Sequence, residues 1–103
     1  MSERYEGKPF LRLLDSYILD TIGALDEANR KWLVEAEPYH REIFGAKGSW
    51  REIVETRMRF PEGMDATIRE VWDKGRVRFR EETGEDPDPV QFTMMFVDQN
   101  FPH

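Results

Sequence analysis

The segment PFLRLLDSYILDTI, residues 9–22, decides the fold. Set out at about 100° per residue, Phe10, Leu11, Leu13, Leu14, Tyr17, Ile18 and Ile22 fill roughly half of a helix circumference. Arg12, Asp15, Ser16 and Asp20 take the other half. Pro9 stands at the first helical position, where its missing N–H has no intrahelical acceptor to lose, and Gly23 lies just past the end. A surface helix needs an apolar stripe of only ~100°. The broader arc here predicts a central helix in contact with several neighbours.

Working outward, four more helical patterns follow, and together they predict an all-α, single-domain bundle of about five helices over residues 1–103. The second opens on Asp26 as N-cap and closes at Gly45, with Leu25, Ala28, Trp32, Ala36, Tyr39 and Ile43 as its stripe. Pro38 falls inside it and removes a hydrogen bond. The stripe stays in phase across Pro38, which predicts one kinked helix, with two helices joined there as the alternative. The third is short: Ser49-Trp50-Arg51-Glu52 has the capping-box spacing, and Trp50, Ile53, Val54 and Met58 line a face. The fourth spans Asp65 to Thr83, stopped by Gly84, with Ile68, Val71, Trp72, Gly75 and Phe79 on one stripe. Gly75 costs roughly 1 kcal/mol of helix propensity relative to Ala, so close approach of another helix is expected there. Arg76 to Arg80 alternates with the period of a strand, but no second strand is available to pair with it. The fifth follows Asp88-Pro89 and is apolar on two faces: Val90, Thr93, Met94 and Val97 on one, Phe92, Met95 and Phe96 beside Gln99 on the other.

Composition restricts function more than it defines it. The 103 residues are 39% hydrophobic and 35% charged, against usual figures of roughly 45–50% and 25%. Three Trp, three Tyr and seven Phe supply enough large apolar surface for a core, though a thin one. The absence of Cys excludes disulfides, thiolate metal sites and a cysteine nucleophile. The first residues lack the basic and apolar regions of a secretory signal, and no apolar run reaches bilayer length, so a cytoplasmic location and no membrane partner are expected. Net charge is −6, opposite to the basic footprint of nucleic-acid binders, so no nucleic-acid partner is expected.

Three constellations could carry a function. Phe92, Met95, Phe96 and Gln99 form a second face on a terminal helix, and aromatic and Met residues are enriched at interface cores. This face points to a homodimer, and the leading expectation is a small interaction or regulatory module. Arg57, Arg69, Arg76 and Arg80 beside Trp72 and Trp50 form the second: guanidinium groups hold phosphates or carboxylates bidentately, which suits a binding protein or minor enzyme for an anionic small molecule. Arg57 interrupts an apolar face, so a carboxylate partner is expected for it. On the fourth helix, Arg69–Asp73 and Asp73–Arg76 have the spacings of weak surface pairs. Third, the acidic carboxy-terminal part would suit an immunity or antitoxin-type partner of a basic protein. Glu37-Pro38-Tyr39-His40 matches E-x-x-H, half of a di-iron ligand set, but His103 completes no second motif, and neither metal nor cofactor is expected. His40 is expected to be a partly exposed packing residue. No phosphate loop, nucleophile elbow or zinc-protease motif occurs, which weighs against an enzyme.

Overall fold

The structure, a computed structural model, describes residues 3–101, with the Glu3 side chain set aside. After a 3-10 turn at Glu3–Tyr5, six α-helices follow: α1 Pro9–Thr21, α2 Glu27–Glu35, α3 Glu37–Phe44, α4 Trp50–Met58, α5 Met64–Thr83 and α6 Pro89–Asn100. No strand occurs among the described residues, and Arg76 to Arg80 is helical. α1 is the hub: it packs against α4, α5, α6 and the 3-10 turn. Leu11, Leu13, Leu14, Tyr17 and Ile18 are all buried in the core, joined by Leu33, Trp50, Ile53, Val54, Ile68 and Val97.

The polar half of α1 is not the solvent face that its composition implies. Asp15 is 1% exposed, and Ser16 and Thr21 are buried as well. A buried carboxylate is tolerated only when its oxygens are occupied. Arg4 donates to both oxygens of Asp15, at 2.7 and 3.0 Å, and the Tyr5 hydroxyl donates at 2.8 Å. Burial, then that hydrogen bond to Asp15, pushes the Tyr5 hydroxyl up to about 12. Arg4 also bridges to Asp98 of α6 at 3.0 Å, so one guanidinium ties the amino-terminal turn to α1 and α6. Ser16 and Thr21 donate to the carbonyls one turn back, each at 2.8 Å.

The single kinked helix expected over 26–44 is instead two helices. Ala36 ends α2 and caps α3, at φ −90° and ψ 1°, and Pro38 lies in the first turn of α3. Pro38 cannot donate to residue 34 and its ring would strike that carbonyl, while a first-turn position spares it both penalties. The buried face also differs from the expected stripe. Trp32, Tyr39 and Ile43 are exposed, whereas Leu33 and His40 are buried. Two polar residues shift the face. Glu37 turns inward because its carboxylate accepts from the Trp50 backbone N–H at 3.1 Å, satisfying an orphan donor at the start of α4. His40 is 2% exposed, not partly exposed, and fills space as a ring: it lies parallel to Phe44 with centres 6.0 Å apart and edge-on to Trp32 at 5.6 Å.

α4 begins with the capping box that its sequence spells, Glu52 N–H to Ser49 Oγ at 3.2 Å and Ser49 N–H to Glu52 Oε1 at 2.8 Å. Tyr17 donates to Glu55 across the α1–α4 contact at 2.8 Å. α5 departs from the rest. A 20-residue helix is about 30 Å long, but only Ile68 of it is buried, and every residue from 73 to 86 is exposed. The molecule therefore measures 45 × 32 × 25 Å, with a radius of gyration of 14.2 Å against roughly 13 Å for a compact chain of this size.

Two outcomes follow for stability. Arg4→Met should lower unfolding free energy in urea by about 3 kcal/mol, because it leaves Asp15 buried without its cation. Adding Asp15→Asn should recover part of that loss, since a neutral amide still accepts from Tyr5. His40 titrates below its ordinary value of about 6.5, chiefly because burial disfavours the imidazolium, with the Ala36 carbonyl opposing and the Arg12 charge adding to the shift. The unfolded chain then binds this proton more readily than the folded one. Stability should be complete above about pH 7 and fall as pH drops through 6.5. Melting temperatures of wild type and His40→Phe between pH 7.5 and 5.5 check this, the variant losing the slope.

Candidate functional site

The carboxy-terminal helix α6 starts from Asp88, whose side chain accepts from the Val90 N–H at 2.9 Å, and has Pro89 in its first turn. Its inward face is Thr93 and Val97, both buried against the core. The second face divides in two. Phe92 and Phe96 are half-buried and belong to a continuous run of rings: Trp72 to Phe92 at 4.9 Å, Phe92 to Phe96 at 5.7 Å, Phe96 to Phe101 at 5.7 Å, Phe101 to Phe60 at 5.4 Å and Phe60 to Tyr17 at 5.4 Å. Met95, at 60% exposure, and Gln99 face solvent.

The ring run leads onto α5, and there the apolar stripe outlasts its cover. Ile68 is buried and Trp72 half-buried, but Val71 and Phe79 are each 40% exposed. Gly75 does not sit under another helix of the chain, as its position had led us to expect. A Cβ built there meets nothing within 4 Å. Val71 and Phe79 stand open on α5 beside the half-buried Trp72, whose ring meets Phe92 of α6, and Met95 stands open on α6.

Its electrostatics are local and self-neutralising. Arg69 pairs with Asp65 at 3.3 Å rather than with Asp73. Arg76 pairs with Asp73 at 3.1 Å, Lys74 with Glu70 at 2.9 Å, Arg78 with Glu82 at 3.5 Å and Arg80 with Asp86 at 3.6 Å. The Lys74 ammonium holds the Glu70 carboxyl below its ordinary range, and Glu70 raises Lys74 in return. Asp65, Glu70, Asp73, Glu81 and Glu82 offset the five bases of α5, and α6 carries a single charge, Asp98. Arg76 also lies over the Trp72 ring, 5.9 Å from its centre.

Arg57 stands apart from these arginines. Its partner is not the carboxylate its position called for. Its guanidinium lies 5.2 Å from the Phe10 ring centre and 5.1 Å from that of Phe44, at the junction of α1, α3 and α4. Cations over ring faces escape sequence reading because the stacking partners come from other helices, 47 and 13 positions away. Trp50 is buried in the core. Of the E-x-x-H pair, Glu37 accepts from the amide that starts α4 and His40 is buried among rings, and no group of three or more metal-ligating side chains occurs among the described residues. His103 lies outside the described residues. No helix is long and apolar enough to cross a membrane among the described residues.

No protein-family model, no curated protein and no solved structure matches this chain, so the surface is read from its own chemistry.

Proposed function

We propose that this chain is a self-associating helical module whose function is exercised as a homodimer through α5 and α6. The observation that carries the reading is the projecting part of α5, which keeps Val71 and Phe79 of its apolar stripe exposed and has every residue from 73 to 83 in solvent. The projecting segment, residues 73–83, is shorter than the roughly 12–15 residues below which a helix is marginal in water without a packed face. A cover for that face would supply the missing contacts. Gly75 adds to the argument, because it weakens the helix by roughly 1 kcal/mol and no neighbour within its own chain explains it. Close approach of a second α5 would.

A second copy is the occupant that the charges favour. The chain as a whole carries −6, so two copies repel at most surfaces. The α5–α6 face is close to neutral, and its arginines are already held by acids of the same chain. Isologous contacts across a twofold axis need such a self-tolerant patch. The proposed contact centres on Val71, Gly75, Phe79 and Met95, with Phe92 and Phe96 backing it from inside and Gln99 at the rim. A role in holding an anionic small molecule keeps one specific observation in its favour, the placement of Arg57.

Light scattering tests the proposal. Wild type should have twice the chain mass, and Phe79→Asp combined with Met95→Asp should be a folded monomer, since both side chains are at least 40% exposed. A wild-type monomer at about 1 mM, where even a contact worth only ~4 kcal/mol would be half formed, would sink the reading. Gly75→Ala separates helix from interface. It should raise the melting temperature of the monomeric double variant, through about 1 kcal/mol of helix propensity, while weakening association in the wild-type background.

A further inference from the structure

The start of α1 and the ends of α3 and α4 line an open groove of about 270 Å³ that includes no residue of α5 or α6. Phe10, Leu14, Phe44 and Met58 line it, with Lys8 at the rim. Phe10 and Phe44 meet edge to face at 5.6 Å, and the Arg57 guanidinium lies over both rings. Arg57 and Lys8 are exposed, and neither has an ion-pair partner among the described residues. Arg57 follows Phe44 by 13 positions and precedes Met58, so its cation is carried on the same helix end that lines the groove.

We propose that this groove binds an aliphatic monocarboxylate of medium chain length. The Arg57 guanidinium is exposed and lies within 5.2 Å of both ring centres, and its planar fork of donors can hold a carboxylate bidentately. Lys8, which lines the groove itself, adds a second positive charge. The alkyl chain lies along Phe10, Leu14, Phe44 and Met58, where burial of methylenes is favourable in proportion to area. The groove is at the small end of ligand sites, which limits the tail to a single chain. The apolar walls explain why a cation pair here serves a tail-bearing acid better than inorganic phosphate. This site is independent of the dimer contact, so either can fail without the other.

The test uses the full chain with its Met methyl groups labelled with carbon-13, titrated with octanoate, with octanol and with inorganic phosphate. The Met58 methyl signal should shift saturably with octanoate. Octanol, with the same tail and no charge, should bind roughly tenfold more weakly, the worth of a charge-assisted hydrogen bond. Phosphate should leave the signal in place. Arg57→Gln should erase the preference for octanoate over octanol, and Lys8→Gln should reduce it. Both positions are exposed, and an unchanged melting temperature confirms that each variant is folded. Equal affinity of wild type for octanoate and octanol would overturn the assignment. So would an octanoate shift that is linear and never saturates, or a preference that survives in Arg57→Gln.

Discussion

Asp15 lies 1% exposed in the middle of the helix against which α4, α5, α6 and the amino-terminal turn pack. Its carboxylate would be costly there without full occupation of both oxygens. Arg4 and Tyr5 provide that occupation, and Arg4 reaches on to Asp98, so the amino-terminal turn, α1 and α6 are joined through one ionic network. The network allows α1 to be enclosed on its polar side as well as its apolar one. A helix enclosed on both sides consumes most of the packing surface a 103-residue chain can offer.

What remains uncovered follows from that. α4, α6 and the first turns of α5 are used on α1, and the outer face of α2 and α3 keeps Trp32, Tyr39 and Ile43 in solvent. The later turns of α5 have no element left to meet. The ring run from Tyr17 to Trp72 passes without a break from the core to this uncovered stripe. A second chain docked on α5 would therefore extend the core. The Arg57 groove is of another kind, a junction of three helix ends whose walls are apolar and whose unpaired charges lie at the edge.

Much of this was legible in the residues. The α1 pattern, the Ser49–Glu52 capping box, the Asp26 and Asp88 caps and the Gly45 and Gly84 stops each appear where local chemistry puts them. These features depend on neighbours within a turn, and a sequence contains all of them. Asp15, Glu37 and His40 are different. Each is polar by type and inward by role, because its partner comes from a distant segment: Arg4 and Tyr5, the Trp50 amide, and the rings of Trp32 and Phe44. Pro38 by itself announces a disturbance, but whether a proline bends a helix or divides it depends on what the two halves pack against.

By itself, then, the sequence determined the helical class, most helix boundaries, the central place of α1 and the two-faced character of α6, since all of these are written in periodicity and in capping chemistry. Only the tertiary structure decided which faces are covered. It divided the second face of α6 into half-buried Phe92 and Phe96 and open Met95 and Gln99, removed the expected helix from above Gly75, and set Arg57 on two rings. The physical reason is that burial belongs to pairs of elements. A stripe on one helix states what it can bury, and only the other helices, with their finite area and their charges to satisfy, settle what it does bury.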